Sequence, residues 1–188
     1  MLIVFDFETG GLTRQHPNTQ LAAVALDDEY NETGWFEAKI QFNESDCDPE
    51  ALKINGYTAD AWNRAGPEAD VIKEFCEWMR PSCCVEKTSK AGHTYKVARL
   101  AGHNAAKFDM PRLTDAGKRH GVFIPAEWHV LDTIQLAMWR AQITGKWPEN
   151  LQLSTLCNYY GVEVAGAHDA LSDCRMTAAL IDKMTLRS

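Results

Sequence analysis

With 188 residues, 45% of them hydrophobic and 24% charged, the chain is long enough for one substantial core and too apolar to be disordered or fibrous. A formal net charge of −7 excludes a surface made for coating nucleic acid indiscriminately and confines contact with a polyanion to a local basic rim. No apolar run reaches the length of a membrane span, and the opening MLIVFDFETGG turns acidic after Phe5, without the basic start and cleavage site of a secretion signal; the expectation is a cytoplasmic protein with no membrane contact.

Three strands open the chain: Leu2 to Phe7, Gln20 to Leu26 and Trp35 to Phe42, separated by polar, glycine-containing turns. Asp48 to Arg64 holds only short helical patterns, around Ala51-Leu52 and Ala59 to Trp62. Glu68 to Arg80 is an amphipathic helix in which Val71, Ile72, Phe75, Cys76 and Met79 recur at three and four residues; Pro67 suits its first turn and Pro81 ends it. Ser82 to Lys96 is polar and reads as a hairpin or loop insertion. A short strand from Val97 to Gly102 precedes a helix from Met110 to His120 that Gly121 terminates. A further strand covers Trp128 to Leu131, and Asp132 is placed to cap a helix over Thr133 to Ile143. Ser154 caps a short helix ended by Gly161. The last helix runs from about Asp169 to Met184, with Ala170, Cys174, Thr177, Ala178 and Ile181 on one face. Strands first and alternation afterwards predict one α/β domain over 1–188, its mixed sheet antiparallel at the start and parallel later.

The cysteines, at 47, 76, 83, 84, 157 and 174, follow no disulfide framework, so free thiols are expected. Cys83-Cys84 with His93 lacks the C-x-x-C pair of a zinc site, and two ordinary thiols are the better reading.

Chemistry enters with the acids. Asp6 and Glu8 are two apart at the end of the first strand, so their side chains project from one face. Adjacent carboxylates repel unless a cation lies between them, and a divalent ion with a taste for hard oxygen ligands is the natural partner. The segment Gly102-His103-Asn104-Ala105-Ala106-Lys107-Phe108-Asp109 ends in an acid near a helix start, where the helix dipole favours it, though a capping role would leave the same pattern. Asp173 lies inside the last helix, and His168 stands five residues before it, a spacing that suits a general base beside a shared metal site.

Taken in order, FDFETGGL, GHNAAKFD and HDALSD resemble the three exonuclease motifs of the DnaQ-like, or DEDD, superfamily. The step from His168 to Asp173 is similar to the DEDDh branch; the tyrosine branch would place Tyr where this chain has Asp169. Val130 to Thr133, Leu151 to Cys157 and Tyr160-Gly161 add to the likeness, which spans essentially the whole chain. The resemblance implies an RNase H-like fold, a central five-stranded mixed sheet flanked by α-helices. It implies that Asp6, Glu8, Asp109 and Asp173 bind two ions, Mg²⁺ or Mn²⁺, with His168 as general base. Thr9 and Gly10 would present backbone groups to the terminal nucleotide, Leu12 would wedge against its base, and Asn104 and Phe108 would support or line the nucleotide pocket. The implied activity is 3′→5′ hydrolysis releasing nucleoside monophosphates, from single-stranded DNA in the first instance.

The lengthened turn Arg14 to Asn18 and the 82–96 insertion depart from the compact pattern and leave substrate choice open. An RNA-directed exonuclease of the same superfamily, or a catalytically silent nucleic-acid-binding subunit, are the alternatives. A polymerase or replication partner in trans fits either nuclease. Trp35, Tyr57, Phe108 and Trp139 are available to stack on bases, with core packing the competing role. Lys107, Arg112, Lys118 and Arg119 are available to phosphates, with a solvated helix face the competing role.

Overall fold

A computed structural model describes residues 1–164 and 169–185. The first strand, β1 (Leu2–Thr9), pairs antiparallel with β2 (Asn18–Leu26), and β2 pairs antiparallel with β3 (Glu32–Lys39). Helices α1 (Pro49–Ile54) and α2 (Glu68–Met79) follow. A separate hairpin, β4 (Val85–Thr88) with β5 (Thr94–Val97), precedes β6 (Leu100–Gly102). The rest alternates: α3 (Asp109–His120), β7 (Leu131–Asp132), α4 (Thr133–Thr144), α5 (Leu153–Tyr160) and α6 (Ala170–Thr185). β6 and β7 join in parallel, giving a five-stranded mixed sheet ordered β3-β2-β1-β6-β7. The expected α/β architecture and its switch from antiparallel to parallel pairing are both present.

Alternation along β1 builds the layers. Ile3, Phe5 and Phe7 face one way, into a core with Val71, Phe75 and Leu113 of α2 and α3. Leu2 and Val4 face the other way, beneath Ala170, Cys174 and Ala178 of α6. Asp6 and Glu8 continue this second row, so the face that is apolar at the start of the strand becomes acidic at its end. Small residues on both sides, Ala22 and Ala101 below and Ala170 and Cys174 above, let α6 lie close to the sheet. Leu156 of α5 and Ala137 of α4 pack on the other side of α6, around Met176 and Leu180.

Several expected boundaries move. The third strand stops at Lys39; Ile40, whose N–H still donates to the Thr19 carbonyl at 2.8 Å, bridges Gly66 instead. The strand expected over Val97 to Gly102 is divided: Val97 closes the hairpin and only Leu100–Gly102 joins the main sheet. Of Trp128 to Leu131 only Leu131, with Asp132, pairs, since β7 is a two-residue edge strand. Ala59 to Trp62 forms turns rather than helix. Ser154 does not cap α5; it lies inside the helix, which begins at Leu153 after Gln152. Asp132 does cap α4, its side chain accepting from the Ile134 N–H at 2.9 Å. All six cysteines are free, and Cys83 Sγ lies 3.6 Å from the carbonyls of Met79 and Pro125, as an ordinary packed thiol does.

Candidate active site

The acidic end of β1 receives Asp173 from the first turn of α6. Asp6, Glu8 and Asp173 each offer an oxygen, and these oxygens lie within 4.8 Å of one another. Asp109, buried at the head of α3, stands alongside, and its Oδ1 accepts the Phe7 N–H at 3.0 Å. That bond docks the start of α3 on β1 at the point where the two strand acids emerge.

So many acids in a small volume oppose one another's ionisation. Burial and then the charges of Asp109, Glu8, Asp173 and Asp169 push the Asp6 carboxyl well above the usual carboxylate range. Glu8 is pushed up to about 7 by burial and by Asp173, Asp109 and Asp169. Asp109 is also raised to about 7 by burial, against the lowering effect of the Phe7 N–H and Arg112. The donor set fits a divalent cation: all carboxylate oxygen, hard, and crowded enough that positive charge relieves it.

The supporting loops are made by particular residues. Asp132 takes the Asn104 N–H on Oδ1 at 3.1 Å and the Ala106 N–H on Oδ2 at 3.0 Å, holding the turn that delivers Asp109. Asn104 sits at φ +59°, in the left-handed region where Asn is among the more readily accepted residues. A side chain at Gly102 would run into Ala105 Cβ at 2.6 Å and the Phe5 carbonyl at 3.0 Å, so this strand end requires glycine. After Glu8, the buried Thr9 donates its hydroxyl to the Gly11 carbonyl. The Gly10 N–H and carbonyl are both engaged, by the Pro17 carbonyl and the Asp48 N–H, and the Thr9 carbonyl accepts from Asn55. The expectation of backbone groups at Thr9 and Gly10 left for a nucleotide is therefore narrowed; those groups largely fix the loop. Leu12, in that loop, is 88% exposed.

His168 lies outside the described residues. Asp169, covalently next to it, accepts from the Ser172 N–H and hydroxyl and from Gln20 Nε2, and its charge acts on both Asp6 and Glu8. Asp169 was legible only as the residue that is not tyrosine; its proximity to the strand acids depends on how α6 crosses the sheet.

Arg112 corrects the sequence reading. It is neither a phosphate contact nor part of a solvated face: it is 4% exposed and donates to the carbonyls of Gly11, Thr13 and His16 and to Asn18 Oδ1. One guanidinium thus ties α3 to the loop after the first motif, and it stacks over the Phe108 ring at 4.5 Å. Its spacing of three from Asp109 on one helix was the only signal available. Arg119 is also engaged, forked onto Glu68, while Lys107 and Lys118 remain exposed. Tyr57 packs against Phe42 and Trp62; Trp35 and Trp139 are exposed.

The family model of the RNase T group, described as an exonuclease, matches residues 3–93 and 93–181. The chain belongs to the RNase T exonuclease family. This RNase T-family chain is 31% identical over 194 residues to a PolC-type DNA polymerase III of Oceanobacillus iheyensis, covering 98% of itself and 11% of the polymerase. It is 29% identical over 190 residues to the chloroplastic/mitochondrial exonuclease DPD1 of Arabidopsis thaliana, covering 98% of itself and 56% of that protein. Its fold is similar to that of E. coli exonuclease I in complex with a dT13 oligonucleotide, with a TM-score of 0.76, 23% identity, and coverage of 99% of this chain and 41% of the other. The chain thus spans about a tenth of the polymerase and little more than half of DPD1.

Proposed function

We propose that this RNase T-family protein is a divalent-metal-dependent 3′→5′ exonuclease that releases nucleoside monophosphates from the 3′ end of DNA, single-stranded by preference. The observation that carries the reading is the meeting of Asp6, Glu8 and Asp173 within 4.8 Å, with Asp109 beside them. In this reading Asp6, Glu8, Asp109 and Asp173 hold two ions, Mg²⁺ or Mn²⁺. When bound, such ions supply a more acidic attacking water and stabilise charge on the phosphoryl group and the leaving 3′-oxygen.

The chain's own groups do the rest. The four carboxylates hold the cations without moving protons. His168 accepts the proton of the attacking water as a neutral imidazole. Its neighbour Asp169 anchors the head of α6 through Ser172, which holds that end of the helix beside the acids. In this reading Thr9 and Gly10, in a loop closed by its own hydrogen bonds, lie against the terminal nucleotide, and Leu12, which is exposed, wedges against its base. Asn104 and Phe108 shape the neighbouring wall, Phe108 braced by Arg112.

The polymerase relatives and the oligonucleotide-bound fold neighbour support DNA as substrate and a polymerase as a partner in trans. No helix among the described residues is long and apolar enough to cross a membrane. The six free thiols fit the proposed cytoplasmic compartment. The test is incubation with 5′-labelled single-stranded DNA, duplex DNA and RNA plus Mg²⁺. A ladder shortening from the 3′ end, fastest for single-stranded DNA and abolished by EDTA, is expected. Faster loss of RNA would overturn the substrate, and retention of all three intact would leave a silent binding module in place of an enzyme.

A further inference from the structure

The β4–β5 hairpin takes no part in the acid pocket, yet it is basic. Lys87, Lys90 and Lys96 stand against Glu86 within Val85–Val97, in a chain of net charge −7, although Lys87 is paired with Glu127. Between the hairpin, α2 and the segment after α3 lies a groove of about 410 Å³. Lys73, Arg80 and Lys96 line it, with Glu77 its one acid. Lys73 lies 3.7 Å from Asp70 with both side chains exposed, and neither Arg80 nor Lys96 has a carboxylate partner among the described residues. Tyr95 and Phe123 line the same groove, 40% and 68% exposed, meeting edge to face with centroids 6.0 Å apart.

Exposed ring faces among unpaired cations form the surface that a single strand of nucleic acid uses, its bases stacking while its phosphates meet the charges. An acidic peptide would use the cations and leave the ring faces unused. The two places lie at opposite ends of α3, so only a strand of some length can serve both. The twelve residues of α3 separate Asp109 from Gly121 by about 18 Å at 1.5 Å per residue. At a stacked rise of about 3.4 Å per nucleotide that straight-line span alone takes about five nucleotides, so only a longer strand, passing round the sheet from the α6 face to the α2–α3 face, reaches both. We propose that the Tyr95–Phe123 groove is a second binding surface for the same single strand whose 3′ end enters the acid pocket. This rests on the exonuclease reading and extends it to substrate length.

Two double variants test it: Tyr95→Ala with Phe123→Ala, and Arg80→Gln with Lys96→Gln. Binding is read by fluorescence anisotropy in EDTA, without turnover, on a labelled oligothymidylate of about 20 nucleotides. The aromatic pair is expected to weaken binding by about tenfold or more. The charge pair is expected to lower the slope of log K against log salt by about 0.7 per cation removed. In Mg²⁺, kcat/KM should fall by a matching factor on the long strand and stay unchanged on a strand of about four nucleotides, which also reports that the variants are folded. Unchanged affinity for the long strand, or equal losses on both lengths, would overturn the proposal. So would competition at the groove by a Glu-rich aromatic peptide that the oligonucleotide cannot displace. Groove-dependent binding with no cleavage of either strand would uphold the groove and overturn the exonuclease reading instead.

Discussion

At the scale of single residues, the pocket is a problem in charge. Asp6, Glu8 and Asp109 are each held above the ordinary carboxylate range, foremost by burial. Groups raised in this way contribute stability that is complete below their unfolded values near 4 and lost as pH rises through the folded values, about 7 for Glu8 and Asp109. A bound divalent ion reverses that loss, and it must displace protons to enter. Mg²⁺ is therefore expected to raise the thermal midpoint clearly at pH 8 and little at pH 5; equal shifts at both pH values would contradict a carboxylate site. Asp6→Ala should abolish measurable cleavage by breaking the cation site. His168→Ala should slow single-turnover cleavage by about 10²- to 10⁴-fold while leaving the Mg²⁺-induced stabilisation in place. A histidine variant cleaving at the normal rate would remove His168 from its role.

At the scale of elements, two polar knots, one buried and one half-buried, decide where the site's loops lie. Arg112 joins α3 to the loop carrying Leu12 by four hydrogen bonds. Arg112→Met strands several carbonyls and is expected to cost on the order of 3 kcal/mol of stability, raise KM more than it lowers kcat, and open the 11–18 loop to protease. Arg112→Lys should not restore the loop, because an ammonium cannot reproduce the forked donors; full rescue by lysine would reduce Arg112 to a mere positive charge. The second knot is Glu68, at the head of α2, which accepts from Asn18, Arg119 and His120. Burial raises the Glu68 carboxyl, but His120, Arg119 and Asn18 together hold it below its ordinary value. Its contribution is thus present above the unfolded value of about 4.3 and is lost as pH falls through the lower folded value. Glu68→Gln should destabilise by about 1–2 kcal/mol at pH 7, and by progressively less in paired melts as pH falls below the ordinary carboxylate range.

At the scale of the whole molecule, the spacing between layers sets the spacing between acids. Asp173 reaches Asp6 and Glu8 because α6 rests on the sheet through alanines and Cys174, whose Sγ lies 3.4 Å from the Ala22 carbonyl. A leucine at Ala22, fully buried beneath α6, would lift the helix from the strands. Ala22→Leu is expected to cost about 1–3 kcal/mol and to weaken Mg²⁺ binding together with activity, although residue 22 is no ligand. Reduced stability with metal affinity unchanged would mean that Asp173 is placed by something other than this packing.

What could be read along the chain was whatever short-range periodicity and spacing record. The alternation of β1 put Asp6 and Glu8 on one face, Asp132 announced the start of α4, the apolar repeat announced α2 and α6, and the order of three acidic motifs pointed to the family. These features belong to stretches of a few residues, where backbone geometry leaves little choice. The partners of Arg112, the reach of Asp169 to the strand acids, the need for glycine at 102 and the shortening of β7 to two residues were decided by tertiary structure. Each depends on contacts between segments distant in the chain, set by strand order, register and the depth at which a helix settles, and no local pattern carries that information.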